Sequence, residues 1–316
     1  FTEIPIESPA ARLGLDYIPC DPDKIVAVVV AHDEDQKPRF AEPDEVSNAI
    51  ANNIIGLLKK EIKAGRLPET ITIQSGLGAV ANAVLFGLDT DELKPFNMFT
   101  EVVQDGALNL ILKHRINQAS ATSISLSVEA RKQLYENLED VRGRLMIRPQ
   151  EITNGAATAT RFGLVAMNTA IECDIYGNVN STHIMGSQMM NGLGGSADFS
   201  RHAKLAIFMT PSLAKGGAIS SIVPMVSHVD STEHDVDIIV TEQGIADLRG
   251  TTPKERAELI IENCSNPVYR PYLREYFENA KKEDKMTEKN ICMLSFSRWR
   301  IFREGDAGGT GTGKLH

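Results

Sequence analysis

Apolar positions along the chain follow two patterns, one typical of buried strands and one typical of amphipathic helices. Short continuous apolar runs at residues 70–73, 96–99, 205–209 and 236–240 predict buried strands. Between them apolar residues recur at helical spacing, most clearly over residues 46–62. This alternation of strand and helix predicts an α/β domain with a mainly parallel sheet.

Further apolar runs extend the same alternation to both ends of the chain. Residues 25–30 are continuously apolar, which predicts a fully buried strand of the kind found in parallel sheets. Residues 32–43 are polar and contain prolines, as is typical of a linker. Shorter predicted strands cover residues 120–126 and 219–224, and predicted helices also cover residues 79–85, 104–113, 128–138, 253–263 and 271–280.

The composition and net charge of the chain limit the kinds of molecule that we expect it to bind. The chain of 316 residues is 42% hydrophobic and carries a net charge of −9, which disfavours nucleic acid and anionic membranes as partners. Its four cysteines lack metal-type spacing, which indicates reduced thiols in a reducing compartment. There is no signal peptide and no apolar run of membrane-spanning length. Since the first residue is Phe1, the sequence is also compatible with a targeting peptide that has been removed. We expect a bacterial cytoplasmic or a mitochondrial protein.

One carboxylate lies where an α/β sheet presents side chains to a ligand. Glu101 follows the predicted strand at residues 96–99, and a helix is predicted to begin near Gln104. Ligands of open α/β sheets bind beyond the carboxyl ends of the strands, and a carboxylate there can attack an acyl group to form a covalent intermediate. A charge that stabilises the start of the helix explains the same residue without chemistry. This segment alone favours the helix-stabilising role, and the rest of the chain is needed to support the catalytic one.

Two glycine-rich segments flank predicted elements. Gly76, Leu77 and Gly78 follow a predicted strand, and Gly194 and Gly195 precede a predicted helix. Glycine lets backbone N–H groups approach a ligand closely and act as oxyanion donors. The first segment also fits a dinucleotide-binding turn, although no clear ribose-binding acidic residue follows it, and it fits a plain strand-to-helix turn. These three interpretations remain open from the pattern alone.

A second carboxylate, Glu242, follows the predicted strand at residues 236–240. It is expected either to orient a substrate or Glu101, or to serve as a helix-capping charge. A serine hydrolase is disfavoured because the Gly-x-Ser-x-Gly motif is absent from the sequence.

Two other motifs suggest binding sites but lack essential residues. His228 and His234 are accompanied by Glu233 and Asp235, yet no third ligand has zinc-type spacing, so a metal site is disfavoured. Residues 308–314 imitate a phosphate-binding loop, but the Ser or Thr that should hold Mg²⁺ is missing and no strand precedes the loop.

Longer motifs give the chain a family resemblance. They cover residues 74–83, 100–105, 174–182, 190–199 and 229–250, in that order. Together they resemble the acetyl-CoA hydrolase/transferase family, which includes succinyl-CoA:acetate and 4-hydroxybutyrate CoA-transferases. The likeness runs from about residue 1 to residue 282 and is greatest to the succinate/acetate branch.

The resemblance implies an α/β fold of two tandem CoA-transferase-like (NagB/RpiA-like) domains with the active site between them. This chain would contain mainly the C-terminal one. Residues 1–36 would be the end of a truncated N-terminal domain, residues 37–282 the C-terminal acetyl-CoA hydrolase/transferase domain, and residues 283–316 an atypical, disordered tail.

The resemblance also assigns residues to the chemistry. It makes Glu101 the nucleophile, which receives the acyl group of an acyl-CoA and then carries CoA as a glutamyl-CoA thioester. Backbone N–H groups of Leu77 and Gly195 would be the oxyanion donors. The other residues that match the family's substrate or CoA site are Gly76, Gly78, Asn154, Gly194, Lys215, Gly216 and Glu242.

The expected function is CoA transfer between acetyl-CoA or succinyl-CoA and small carboxylates such as acetate and succinate. CoA would be a substrate, and no metal or redox cofactor would be required. We expect a homodimer, although no sequence pattern encodes the oligomeric state. Three alternatives are an acetyl-CoA hydrolase with the same glutamate, an inactive CoA-binding fragment, and an NAD-dependent enzyme built on Gly76–Gly78.

Overall fold

The computed structural model describes residues 4–15, 17–32 and 43–282. Its centre is an eight-stranded sheet with helices on both faces. The helices are α1 (Glu45–Lys63), α2 (Ala79–Gly87), α3 (Asp105–Leu112), α4 (Val128–Glu136), α5 (Leu138–Arg142), α6 (Gln150–Thr153), α7 (Ala156–Phe162), α8 (Ser196–His202), α9 (Pro253–Cys264) and α10 (Arg270–Lys282). The strands are β1 (Thr72–Ser75), β2 (Phe96–Phe99), β3 (Val102–Val103), β4 (Ile116–Ala121), β5 (Ser123–Ile124), β6 (Leu145–Ile147), β7 (Val165–Thr169), β8 (Glu172–Asp174), β9 (Val179–Asn180), β10 (His183–Ile184), β11 (Gln188–Met189), β12 (Leu205–Met209), β13 (Leu213–Ala214), β14 (Ile219–Ser220), β15 (Ile222–Val223), β16 (Ile238–Thr241) and β17 (Gly244–Asp247).

The central sheet has the strand order β17-β16-β12-β7-β1-β2-β4-β6. Neighbouring strands are parallel except β16 and β17, which form an antiparallel pair at one edge. Residues 72–147 supply one half of the sheet and residues 165–247 the other, so the chain reverses its direction of travel between β1 and β7. Such a reversal opens a crevice at the carboxyl ends of the strands, where ligands of this kind of sheet bind.

Alternating side chains anchor the two helical layers. On β12, Ile207 packs into the cluster formed with α1, α2 and α3, whereas the adjacent Phe208 packs into the cluster formed with α9 and α10. A third, smaller cluster joins Phe99 of β2 to Phe199 of α8. The parallel sheet is therefore buried on both faces, which explains the continuous apolar runs of its strands.

Local signals determine where the long helices start. The Asp44 side chain accepts a hydrogen bond from the Ser47 N–H at 2.7 Å and caps α1. Thr252 and Glu255 form a reciprocal capping box at the start of α9, with Pro253 in its first turn. Each cap satisfies N–H groups that have no partner within the helix.

Two arginines fix the N-terminal segment to the domain. Arg161 donates to the carbonyl oxygens of Ile4 and Ile6 at 2.7 and 3.1 Å, and buried Arg148 donates to the carbonyl of Pro9 at 2.9 Å. Ile6 itself is fully buried. Burial lowers the pKa of the Arg148 guanidinium.

The prediction of a buried strand at residues 25–30 is wrong in this structure. These residues have no regular secondary structure, and Val26, Val28 and Val30 are 98%, 81% and 78% exposed. They pair with no strand of the described residues. A continuous apolar run shows that a segment needs apolar neighbours on both sides, but it does not show which part of the chain supplies them.

Most other predicted elements are present with shifted ends. The largest shift from a predicted position is that of the strand expected at residues 120–126, since β4 covers Ile116–Ala121 instead. Its first half carries polar Asn117 and Gln118, which obscured the strand in the apolar pattern. The predicted linker at 33–42 and the tail at 283–316, including the loop at 308–314, lie outside the described residues. Among the helices of the described segments, none combines the length and the apolar character that crossing a bilayer requires.

Candidate active site

Glu101 lies in the turn between β2 and β3, at the carboxyl edge of the central sheet. Its main-chain carbonyl accepts hydrogen bonds from Thr122 N–H at 2.9 Å and Ser123 N–H at 3.1 Å. The residue is half-buried. The backbone of Glu101 is thereby fixed to the segment after β4, while its side chain points away from the hydrophobic core towards the second glycine-rich loop.

Gly195 meets the Glu101 carboxylate directly. Its N–H donates to Glu101 Oε2 at 2.7 Å. A Cβ atom at Gly195 would lie 2.6 Å from Asn154 Nδ2, 2.7 Å from Glu101 Oε2 and 2.8 Å from Phe199, and real Cβ atoms do not approach neighbours so closely. Gly194 before it has a positive φ of 57°, which favours glycine. Space and backbone conformation therefore both explain the glycines of this loop.

The first glycine-rich turn follows β1, the strand that pairs with the one delivering Glu101. Ser75 at the end of β1 is tied to Thr100, because its N–H donates to Thr100 Oγ1 at 3.4 Å and its carbonyl accepts from that hydroxyl at 3.0 Å. Gly76 N–H donates to Met167 O at 2.8 Å. Leu77 is exposed next in the chain. The structure thus brings the turn that contains Leu77 next to the strand that delivers Glu101.

Asn154 completes this cluster. It follows α6, and its Nδ2 donates to Asp198 Oδ2 at 3.3 Å. Its Oδ1 is buried without a hydrogen-bond partner. An unpartnered buried acceptor beside Gly195 is a place where a ligand donor or a water molecule can bind. Asn154 therefore adds an unsatisfied amide to the carboxylate and backbone N–H of the site.

Glu242 is not brought into contact with Glu101. It follows β16, and β12, β7 and β1 separate that strand from β2. Its carboxylate accepts from Ser212 N–H at 2.8 Å, from the Ser212 hydroxyl, and from Gln243 Nε2 at 3.1 Å. Burial raises the pKa of Glu242, but these hydrogen bonds outweigh burial and leave the pKa below its usual value. The predicted role of orienting Glu101 therefore has no contact to support it.

Lys215 and Gly216 lie in the exposed tip between β13 and β14. Both have positive φ angles, 48° and 65°. Ser212, which binds Glu242, immediately precedes this hairpin. The two site residues predicted here are thus grouped with Glu242 rather than with Glu101.

The side chains of the histidine-rich segment do not converge on one point. His228 Nε2 lies 3.2 Å from Asp230 and the ring stacks on His183 with centroids 3.9 Å apart, while His234 is 82% exposed. No group of three or more candidate ligands is arranged for a metal ion in residues 4–15, 17–32 and 43–282.

Sequence patterns missed the contacts that fix Glu101. Thr122 and Ser123 act through main-chain N–H groups, and such donors leave no mark in the residue types. Thr100 gave no signal because a hydroxyl beside a strand end is common. Only knowledge that β4 ends at Ala121 places Thr122 at the same edge as Glu101.

These observations define a class: an α/β domain that presents a carboxylate and backbone N–H donors at the carboxyl edge of a parallel sheet. Residues 131–277 match the family model of the acetyl-CoA hydrolase/transferase C-terminal domain. The chain belongs to the acetyl-CoA hydrolase/transferase family, and its fold is that of the family's C-terminal domain.

Named relatives include both transferases and hydrolases. The succinyl-CoA:acetate CoA-transferase of Clostridium kluyveri is 52% identical over 88% of this chain and 52% of its own length. The acetyl-CoA hydrolase of Candida albicans is 45% identical over 93% of this chain and 58% of its own length. The crystal structure of RipA from Yersinia pestis superimposes with a TM-score of 0.66 at 25% identity, over 79% of this chain and 56% of that one. The chain therefore spans just over half the length of these relatives.

Proposed function

We propose that the chain carries the acyl-transfer half of an acyl-CoA:carboxylate CoA-transferase, with Glu101 as nucleophile. The observation that carries the proposal is the 2.7 Å hydrogen bond from Gly195 N–H to Glu101 Oε2, in a position where a Cβ atom on Gly195 would push against the Glu101 carboxylate itself. Catalysis of acyl transfer requires a fixed donor beside the atom on which negative charge develops. Membership of the family supports the same chemistry.

The first half-reaction moves CoA onto the protein. Glu101 Oε1 attacks the thioester carbonyl of acyl-CoA, the carbon–sulfur bond breaks, and CoA thiolate leaves an acyl-glutamyl anhydride. The thiolate then attacks Cδ of Glu101, which forms a glutamyl-CoA thioester and releases the first carboxylate. During that attack the charge develops on Oε2, the atom that Gly195 N–H contacts.

The second half-reaction is the reverse with another acid. The acceptor carboxylate attacks Cδ of the glutamyl thioester and expels CoA thiolate, and a new anhydride forms. The thiolate attacks the acyl carbonyl of that anhydride, which releases the new acyl-CoA and regenerates Glu101. In this proposal Leu77 N–H holds the acyl oxygen in both halves. Each such donor is worth about 3–4 kcal/mol of barrier, and no metal or redox cofactor is required.

Transfer and hydrolysis differ only in the acceptor. The Clostridium kluyveri relative is named as a transferase and the Candida albicans relative as a hydrolase, so both outcomes suit the same glutamyl intermediate. We propose transfer first, with acetate or succinate as acceptor. CoA release from acetyl-CoA or succinyl-CoA, measured with and without added carboxylate, separates the two: release that does not depend on the acceptor contradicts transfer.

We also propose that residues 1–36 belong to a neighbouring N-terminal domain, residues 37–282 to the C-terminal domain, and residues 283–316 to a separate tail. The exposed apolar side chains at Val26, Val28 and Val30 support the first boundary, since they would be buried in a second sheet. The exposed Leu77 at the rim of the site fits a cleft with a second wall. If that wall is essential, the chain as given binds CoA without turning it over.

Assembly and compartment are lesser parts of the proposal. We propose a homodimer, which light scattering on the purified chain tests directly. The three cysteines of the described segments, Cys20, Cys173 and Cys264, are unpaired. Free thiols suit a reducing compartment, and we propose the bacterial cytoplasm or the mitochondrion.

The decisive experiment traps the intermediate. The purified chain is mixed with acetyl-CoA or succinyl-CoA and then with borohydride, which reduces a glutamyl-CoA thioester to an alcohol and leaves a small mass loss. We expect intact-protein mass spectrometry to show that loss and peptide mapping to place it at Glu101, with none in Glu101→Gln. If no loss forms while CoA still binds, the chain is a CoA-binding fragment. If neither occurs, the proposed function is wrong.

A further inference from the structure

The loop that contains Gly195 is hydrogen-bonded to residues 181 and 182, which precede it in the chain. Met190 N–H donates to Thr182 O at 2.8 Å, and Asn191 Nδ2 donates to Ser181 O at 3.0 Å. The two hydrogen bonds join the residues just before the β10–β11 hairpin to the first two residues of the loop at 190–195. Ser181 and Thr182 therefore anchor the start of the loop, and α8 holds its end, where Gly195 O accepts from Phe199 N–H at 3.0 Å.

Asp230 holds that segment. Its side chain is only 7% exposed. Asp230 Oδ2 accepts from Ser181 N–H and from the Thr182 hydroxyl, both at 2.8 Å, and Oδ1 lies 3.2 Å from His228 Nε2. One carboxylate from a distant part of the chain thus binds both residues that carry the Gly195 loop.

Two histidines extend the network. His183 Nδ1 lies 2.6 Å from Thr182 Oγ1, whose proton goes to Asp230. The His183 ring stacks on the His228 ring at 3.9 Å. Both rings are therefore linked to the same carboxylate, His228 directly and His183 through the Thr182 hydroxyl.

Two further carboxylates lie against the histidine segment. Glu172 accepts from Ser227 N–H at 2.7 Å, and Asp174 Oδ2 accepts from Val226 N–H at 3.4 Å. Glu172 also accepts from the Ser227 hydroxyl at 2.7 Å and from Asn180 Nδ2 at 3.0 Å, and Asn180 Oδ1 accepts from Thr182 N–H at 3.2 Å. Asp230 differs from both because its own carboxylate contacts Ser181 and Thr182.

We propose that Asp230 is a positioning residue for acyl transfer: through Ser181 and Thr182 it fixes the loop that offers Gly195 N–H to Glu101. Asp230 touches neither substrate nor Glu101, so it acts only through the loop. The expected effect of Asp230 on the reaction rate rests on the proposed function, whereas its expected effect on the loop does not. An oxyanion donor works only if it is held in place before the charge develops, and a displacement of about 1 Å is enough to cost a large factor in rate.

The first test measures the loop without any activity. Hydrogen–deuterium exchange is followed for a peptide that covers residues 190–199, in the wild type, in Asp230→Asn and in the control Glu233→Gln. Glu233 lies on the same segment, and its carboxylate is 3.8 Å from exposed His234. We expect exchange in Asp230→Asn to rise by about tenfold, with no rise in the control and none in the peptide containing β12. Unchanged exchange in Asp230→Asn overturns the proposal.

The second test separates positioning from binding. With saturating acyl-CoA, we expect the rate of borohydride-trapped adduct formation in Asp230→Asn to fall by at least about tenfold, while the CoA dissociation constant stays within about twofold of the wild type. A loss of CoA affinity with an unchanged trapping rate contradicts a positioning role. If the wild type itself forms no adduct, the Glu101 proposal fails, whereas the exchange result still decides the role of Asp230.

A second variant covers the case in which the first one misfolds. If Asp230→Asn does not fold, Thr182→Val takes its place, since it removes the hydroxyl link and keeps the side-chain shape. Wild-type exchange in that variant also overturns the proposal.

Discussion

Glu101 and Glu242 occupy similar places in the fold, because each follows a parallel strand at the carboxyl edge of the sheet. Their hydrogen bonds differ. Glu242 receives three, two of them from Ser212, whereas Glu101 receives one at its carboxylate within the described residues, from Gly195. Donors that stabilise a carboxylate also lower its tendency to attack. Position at a strand end makes both carboxylates available to a ligand, and under the proposed function the smaller number of donors leaves Glu101 the more reactive of the two.

Replacing each glutamate by glutamine tests this contrast most strongly. Glu101→Gln removes the attacking oxygen, so we expect trapped adduct to fall by about 10⁴-fold. Glu242→Gln keeps an acceptor for Ser212, so we expect adduct formation to stay within about tenfold of the wild type. Borohydride trapping followed by mass spectrometry measures both. Equal losses of adduct in the two variants would contradict the proposed difference in reactivity between Glu101 and Glu242.

The contact between Glu101 and its single donor can be disturbed by a methyl group on Gly195, which keeps the backbone N–H but crowds the carboxylate. Gly195→Ala forces a Cβ atom between Asn154, Glu101 and Phe199, so we expect the trapping rate to fall by about 10²–10³-fold. Gly192→Ala is the matched control, since an added Cβ there has no neighbour within 4 Å. Single-turnover trapping at saturating acyl-CoA provides the measurement. A rate in Gly195→Ala equal to that of the control would contradict the expected displacement of Glu101 from its donor.

Glu61 shows the opposite extreme, a carboxylate held entirely for structure. Its side chain is 2% exposed and binds Arg66 and Arg249 through both oxygens. Hydrogen bonds from the two arginines lower its pKa from 4.5 to about 2. We expect Glu61→Gln to reduce the free energy of unfolding at neutral pH by up to about 3 kcal/mol. Glu69→Gln, at an exposed pair with Lys94, is the control and should change little.

The same glutamate predicts a pH dependence. Because the folded-state pKa of Glu61 lies below its unfolded value, its contribution is fully present above about pH 4.5 and is lost as the pH falls towards about 2. The difference in unfolding midpoint between wild type and Glu61→Gln should therefore shrink as the pH is lowered from neutral to about 3. Denaturant titrations at several pH values measure it. A difference that grows on acidification contradicts the assigned ion pair.

The smallest effect concerns the stability contributed by Glu242. Its lowered pKa means that its contribution is present above the ordinary glutamate pKa and is lost on acidification. Since the residue is half-buried, we expect Glu242→Gln to cost about 1 kcal/mol at neutral pH. Local exchange in a peptide covering the β13–β14 hairpin should rise, because Ser212 anchors it. Unchanged exchange there would show that the hairpin does not depend on Glu242.

Much of the fold follows from periodicity alone. The strand at β12 was predicted at its observed bounds, and α1 and α9 were predicted because acidic, threonine and proline signals precede strong helical spacing. The misplacement of β4 arose from its two polar residues. The strand expected at residues 25–30 failed for a different reason, since burial depends on a partner that local sequence does not specify.

The site was less accessible to sequence reasoning. Residue types identified Glu101 and the two glycine-rich turns, and the structure brings Gly195 and Asn154 to Glu101. Sequence could not separate Glu101 from Glu242, because both follow apolar strands. Their difference lies in Ser212, whose main-chain N–H and hydroxyl occupy one of them, and such donors are recognised only when the chain is folded.

The order of strands in the sheet has a consequence for how the protein is made. Residues 72–147 contain β1, β2, β4 and β6, so half of the sheet and Glu101 itself leave the ribosome first. Gly195 is 94 positions later in the chain. At ordinary rates of about 5–20 residues per second, several seconds separate the synthesis of Glu101 from that of its hydrogen-bond donor. Under the proposed function, acyl transfer therefore begins only after β11 and α8 have been synthesised, because the Gly195 N–H is not present before then.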